Sequence, residues 1–311
     1  MRPVGITRHG VGRVILADVT LAVNGAAVGE GEDLSRLAEL VAGGNVVVLT
    51  GAGLSTESGI PDYRGPDGRR RVTPMTYGEF LAGPENRRRY WARSFVGWRR
   101  FAGAGPNSGH HAVAALQRAG HLRALITQNV DGLHQSAGAR DVLELHGNLV
   151  RVVCLRCGDS SRRADLDARL REANPDFAVT AGEIRPDGDV QLDPEEVTAF
   201  HPPRCLVCDS DLLKPDVVFF GESVPKPRVE AAYALVERAD VLVVVGSSLT
   251  VMSGLRFVRH QVKRNRPVVI INRGPTRGDE LATVKLDAGC SETLTALCST
   301  LPGRSRPQHV T

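Results

Sequence analysis

The chain has 311 residues, 42% of them hydrophobic and 24% charged, with 39 basic against 35 acidic side chains and a net charge of +4. That length holds one large domain and a smaller one, and the charge is too balanced to argue for nucleic-acid binding. No apolar run is long enough to cross a bilayer, and Asp18 interrupts the apolar stretch 14–23 that a secretory signal would need.

Residues 1–30 read as an extension outside the main core, packed on it as a hairpin. Leu34, Leu37, Leu40 and Val41 recur at helical spacing within 32–43, and Asn45–Thr50 is a β-branched run typical of a buried parallel strand. Gly51-Ala52-Gly53 follows at once. Glycines just past such a strand let the backbone turn sharply and approach a pyrophosphate. The run continues through Ser55, Thr56 and Gly59 to Pro61-Asp62-Tyr63-Arg64-Gly65. This is an ordered loop, not a plain helix start, so the expectation is a modified dinucleotide fold with a covering loop.

The segment 61–108 is rich in Arg and Gly, and its aromatics Tyr90–Trp98 suit a helix core. A helix over 110–119 precedes a strand over 122–129, which ends in Thr127-Gln128-Asn129-Val130-Asp131-Gly132-Leu133-His134. Further strands are predicted over 217–220, 241–246 and 267–272, with helices over 228–239 and 255–264. Alternating strand and helix signals imply an α/β fold with a doubly wound parallel sheet, a modified Rossmann fold. Gly51, Asn129, Gly246-Ser247-Ser248 and Asn272-Arg273-Gly274 all follow β-branched runs, so four strand ends converge on one ligand crevice. The Gly-Ser-Ser turn offers amides and hydroxyls suited to phosphate.

Cys154-x-x-Cys157 and Cys205-x-x-Cys208 place four thiolates around one Zn²⁺. A single hook could be a redox pair; two hooks without a spare histidine favour structural zinc. The smaller unit is therefore a zinc-binding module over 151–213. The cofactor domain takes 31–150 and 214–301, and 302–311 is a tail. Cys290 and Cys298 remain as free thiols, which suits a reducing compartment. Arg151, Arg156, Arg162 and Arg163 near the first hook read as a solvated face.

Nine histidines are present. His9, His121, His201, His260 and His309 stand outside any motif and read as surface residues. His110 and His111 fit a helix, and His134 fits the core. His146, in Glu144-Leu145-His146-Gly147-Asn148, lies between the Asn129/Asp131 strand end and the zinc module, which suits a general base.

These ordered motifs, with Lys214–Glu222 and Gly246–Leu249, resemble the sirtuins, NAD-dependent protein-lysine deacylases, over about residues 32–301. Tyr90–Trp98, Gly246-Ser247-Ser248, Asn272–Arg277 and the long segment 175–196 resemble the class II branch. The resemblance implies a reaction in which the acyl oxygen attacks the nicotinamide ribose, nicotinamide leaves, and O-acyl-ADP-ribose and free lysine are released. It implies His146 and Asn129 as catalytic residues. It implies NAD contacts from Gly51, Ala52, Gly53, Ser55, Thr56, Asp62, Tyr63, Arg64, Gln128, Asn129, Val130 and Asp131. To these it adds Gly246, Ser247, Ser248, Asn272, Arg273, Gly274 and Cys290. Tyr63, Val218 and Phe220 would wall an apolar acyl-lysine tunnel, and Phe220, Gly221 and Glu222 would pair with substrate backbone.

A protein mono-ADP-ribosyltransferase using the same NAD site is the enzymatic alternative, and a non-catalytic NAD-sensing module the third reading. The expected partners are acyl-lysine proteins, with no membrane and no specific nucleic acid, for a monomer. Lysine occurs only at 214, 226, 263 and 285, an arginine bias suggestive of a GC-rich bacterial genome, so a cytoplasmic setting is expected. Arg2, Arg8 and Arg13 in an acid-free start make the mitochondrial matrix the alternative. The uncharged tunnel residues imply a preference for neutral acyl chains. A carboxylate-tipped chain would need an arginine inside, for which Arg93, spaced from Tyr90 as Tyr-x-x-Arg, is the candidate.

Overall fold

The computed structural model describes residues 28–65, 69–177, 185–190 and 192–301. The expected extension over most of 1–30 and the tail 302–311 lie outside them. In chain order the elements begin with α1 (Val28–Ala42), β1 (Val46–Thr50), α2 (Tyr77–Ala82), α3 (Pro84–Ala102) and α4 (Ser108–Arg118). There follow β2 (Leu122–Thr127), α5 (Leu133–Ser136), β3 (Val142–Glu144), β4 (Gly147–Cys154), β5 (Ser160–Arg162), α6 (Arg163–Ala173), α7 (Pro194–Ala199) and β6 (Leu213–Val217). The chain continues with α8 (Lys226–Glu237), β7 (Val241–Val245), α9 (Met252–Lys263), β8 (Val268–Ile271), β9 (Val284–Leu286) and α10 (Cys290–Thr300).

Six strands form one parallel sheet in the order β3-β2-β1-β7-β8-β9. Counted along that sheet alone, this is the doubly wound order 3-2-1-4-5-6, whose strand order reverses between β1 and β7. The alternation of side chains along a strand sets the two layers. Val46 and Val48 enter a core with α1, α4 and α10, while Val47 and Leu49 enter the opposite core with α8 and α9. Covering both faces with helices requires strands that are apolar on both sides, and Val46–Thr50 and Val241–Val245 are buried throughout.

A second sheet, β5-β4-β6, is antiparallel. Its core gathers Trp91, Phe95 and Phe101 of α3 with Leu166, Leu170 and Phe200. The aromatics of 90–101 thus belong to the smaller lobe, whose sheet starts at Gly147 and runs to Val217, beyond the 151–213 read from the cysteine spacing. The strand expected at 217–220 is corrected. The strand here is Leu213–Val217 in the small sheet, and Phe220 makes only an isolated bridge with Thr76. The turn at Gly221 (φ +80°) ends the extended run after Phe220, and the ladder with β4 closes at Val217. His121 is also corrected: it is 2% exposed at the entry to β2, tucked behind α4, where its amide donates to Leu116 O.

Candidate functional site

At the reversal between β1 and β7, two glycine turns meet. The Gly51 amide donates to Val245 O (2.9 Å) and the Gly53 amide to Gly246 O (2.8 Å). The approach is too close for side chains. A Cβ on Gly51 would lie 2.7 Å from Gly246 O, and one on Gly246, held at φ +62°, would lie 2.4 Å from Leu54 N. Beside this contact opens a cavity of about 860 Å³. The N–H groups of Ala52, Ser247 and Ser248 have no acceptor among the described residues, and all three residues line the cavity. Unpaired amides beside glycine turns are the donor set that a pyrophosphate needs, so these residues fit the NAD expected from the sequence.

Deeper in, Thr50, Thr127 and the Gln128–Asp131 turn fix the next groups. Thr50 Oγ1 donates to Thr127 Oγ1 (2.8 Å), whose oxygen in turn accepts from the Asn129 amide (3.1 Å). Asn129 Nδ2 reaches Gly51 O (3.0 Å) and Ser55 Oγ (3.1 Å). Ser55 Oγ donates to Asp131 Oδ2 (2.7 Å), and Asp131 Oδ1 accepts from the Leu133 amide (2.9 Å). Burial pushes the Asp131 carboxyl above its ordinary value, against the pull of these donors. Gln128 Nε2 donates to Ser247 Oγ (2.9 Å), tying the second strand end to the Gly-Ser-Ser turn.

His146 sits on this floor. Its Nδ1 is 2.9 Å from Gln128 O and its Nε2 2.9 Å from Ser253 Oγ. A carbonyl can only accept, so Nδ1 carries the proton and Nε2 keeps its lone pair. Burial, aided by the Arg228 charge, holds the ring down to about 4, so it is neutral at pH 7. A neutral imidazole with a fixed tautomer can take a proton at Nε2.

The other end of the cavity carries Tyr63, Val218, Phe220, Gly221 and Glu222. Tyr63 and Phe220 meet edge to face at 5.4 Å. The Tyr77 amide donates to Phe220 O (2.9 Å), within a bridge between Thr76 and Phe220, and the Gly221 amide has no acceptor among the described residues. Arg70, which sequence reasoning missed, lays its guanidinium 5.1 Å over the Phe220 ring and also lines the cavity. It is held there because the strands at Tyr63–Gly65 and Arg69–Arg71 pair back on each other. That pairing joins residues on either side of the sequence Gly-Pro-Asp-Gly, a signal open to sequence reading.

Most of the residues expected at the site line this one cavity, from Gly51, Ala52, Gly53, Ser55, Asp62, Tyr63 and Arg64 through Gln128–Asp131 and His146 to Ser247, Ser248, Asn272 and Arg273. Thr56, Gly274 and Cys290 do not. Thr56 Oγ1 turns back to Gly53 O (3.0 Å). The Gly274 amide is taken by Asp287 (2.8 Å). Cys290, at the start of α10, is packed in the core below. Arg93 is not in the tunnel either. Its Nε donates to Val190 O (2.6 Å), and its guanidinium pairs with Asp189 (3.1 Å).

In the small lobe the ligand atoms of Cys154, Cys157, Cys205 and Cys208 all lie within 4.8 Å of one another. Cys154 Sγ to Cys208 Sγ is 3.6 Å and Cys157 Sγ to Cys205 Sγ 3.7 Å. Tetrahedral zinc with bonds of ~2.3 Å puts sulfurs about 3.8 Å apart, so four thiolates at these distances fit Zn²⁺ and leave no open position for chemistry. No helix among the described residues is long and apolar enough to cross a membrane.

A family model described as the Sir2 family matches residues 51–253. An NAD-dependent protein deacetylase 1 of Streptomyces coelicolor is 56% identical over 270 residues, covering 86% of this chain and 90% of the relative. The NAD-dependent protein lipoamidase sirtuin-4, mitochondrial, of Bos taurus is 47% identical over 253 residues, covering 80% of each. Among solved structures, one titled as Sir2 with a p53 peptide and NAD⁺ is similar at a TM-score of 0.69 and 31% identity, covering 86% of this chain and 97% of that one.

Proposed function

The chain belongs to the Sir2 family and is an NAD-dependent protein deacylase, and we propose that His146 is its general base and that Asn129 and Asp131 hold the nicotinamide end of the cofactor. NAD, when bound, supplies a ribose carbon that gives up nicotinamide and accepts the acyl group. The observation that carries the reading is the neutral His146 with its Nε2 lone pair on the floor of the cavity that Asn129 and Asp131 also line.

Asn129 spends its Nδ2 on Gly51 and Ser55, so its carbonyl oxygen is the end left to order water or ribose. Asp131 is braced by Ser55 and the Leu133 amide, which fixes a carboxyl able to accept from a carboxamide. Tyr63, Val218 and Phe220 supply the apolar walls for the acyl-lysine chain, and the open amide of Gly221 suits an extended peptide laid alongside. The loop 61–65 would cover the cofactor and keep out water that hydrolyses it. Acyl-lysine proteins are the substrates in this reading. In this reading the protein works as a monomer, and the arginine-rich composition and the bacterial relatives support a cytoplasmic setting.

Acyl-lysine peptides incubated with NAD and read by mass spectrometry test the reaction. Free lysine with O-acyl-ADP-ribose is expected, whereas ADP-ribose attached to protein would favour the transferase alternative. His146→Ala should lower acyl transfer by a factor on the order of 10²–10⁴ with NAD binding retained. Near-normal turnover in that variant refutes the assignment of the base.

A further inference from the structure

The basic atom of His146 does not face the cavity bare. Ser253 Oγ stands 2.9 Å from Nε2, and since Nδ1 already donates to Gln128 O, the Ser253 hydroxyl must donate to Nε2. Ser253 is the second residue of α9, half-buried, and lines the same cavity. Donating its proton leaves the Oγ lone pairs as acceptors. Gly254 follows, and a Cβ there would lie 2.7 Å from Gln128 Oε1, so the start of α9 packs directly on the Gln128 side chain.

We propose that Ser253 is a proton relay between the substrate hydroxyl and His146, resting on the reading of His146 as the base. The substrate O–H bond breaks and its proton binds Ser253 Oγ. The Ser253 O–H bond breaks in the same step and its proton binds His146 Nε2. The electron pair stays on the substrate oxygen, which becomes the nucleophile, and the charge that appears on the imidazole is shared through Nδ1–H with Gln128 O. The serine ends the step as it began, a hydroxyl. The relay explains why a buried base is capped by a hydroxyl on the side open to the cavity. A direct transfer would first have to break the Ser253 hydrogen bond.

The test uses the full chain and three variants: Ser253→Ala, Ser253→Thr and His146→Ala. Single-turnover acyl transfer should fall at least tenfold in Ser253→Ala with KM for NAD unchanged, and Ser253→Thr should restore it. Nicotinamide exchange, which precedes the base-dependent step, should persist. A second readout needs no cofactor. In ¹⁵N-histidine-labelled protein, Ser253→Ala should move the Nε2 resonance and raise the midpoint of His146, because a donor to the neutral ring is lost, while Ser253→Thr should leave both in place. The charged groups around the ring, Arg228 of α8 with its partner Asp216, and Asp131, Lys226 and Arg256 on the cavity wall, are the same in every variant.

If Ser253→Ala folds only poorly, a proton inventory on the wild-type chain decides, with two protons in flight for a relay and one for direct transfer. Full turnover in Ser253→Ala, or a one-proton inventory, overturns the relay while a dead His146→Ala leaves the base standing. A fully active His146→Ala overturns the reading beneath both.

Discussion

Gly246→Ala probes the meeting of the two glycine turns, on which the cofactor end of the cavity depends. The new Cβ would lie 2.4 Å from Leu54 N and 2.8 Å from Gly53 C. Ordinary contact begins near 3.5 Å, so the 51–54 turn must recede by about 1 Å, which breaks the bond from the Gly53 amide to Gly246 O. At φ +62° an alanine also pays the left-handed penalty of roughly 1–2 kcal/mol. Overpacking adds about 1–3 kcal/mol, for a total loss of about 2–5 kcal/mol. Gly158→Ala is the matched control. It carries φ +78° but meets nothing within 4 Å, so only the backbone penalty applies. Denaturant midpoints should separate the two variants, and calorimetry should show NAD affinity reduced at least tenfold in Gly246→Ala alone. If Gly246→Ala is as stable as Gly158→Ala and binds NAD normally, the close approach does not organise the site.

Other outcomes follow from the same geometry. Replacing Cys157 or Cys205 by Ser should release one zinc per chain and unfold the small lobe; well-folded, active protein free of zinc by metal analysis would contradict this. Burial lowers His134 to about 3 and His110 to about 4, so the unfolded chain binds more protons below pH 6.5 and the stability these histidines give is lost as pH falls from about 6.5 to 4. Asp187 and Asp189, raised by burial, titrate with the opposite sign. The comparison is therefore made against His110→Gln/His134→Gln. Wild type should lose ground to that variant on acidification, by up to about 3 kcal/mol per histidine, and a constant difference from pH 7 to 4.5 would rule this out. For substrate scope, neutral acyl chains should outpace succinyl-lysine. Any succinyl turnover should drop in Arg70→Ala and be indifferent, relative to acetyl, to Arg93→Ala; dependence on Arg93 would mean that it leaves Asp189 to enter the tunnel.

What could be read from the sequence was what is local in it. Val46–Thr50 and Val241–Val245 announce themselves because strands buried on both faces need no polar alternation, and the doubly wound order follows from alternating strands and helices with glycines at their ends. The four cysteines were legible because metal geometry fixes the spacing within each hook. The misses share one cause, which is contact between distant segments. Strands as short as Val142–Glu144 and Val284–Leu286 owe their extension to the neighbours they pair with, and no periodicity fits in three residues. His121 looks like a surface residue until α4 folds over it. Arg93 has the spacing of a tunnel cation, yet Asp189, nearly a hundred positions away, holds it elsewhere.

Ser253 carries no motif at all, and it matters only because α9 starts beside the Gln128 turn, 107 positions from His146. A catalytic base can be found in a sequence by its neighbours along the chain. The group that decides how its proton arrives is chosen by packing. For this reason the residues around His146 are better tested by moving single hydrogen bonds than by removing the histidine, since losing the base silences every route at once, whereas losing Ser253 tells one route from another.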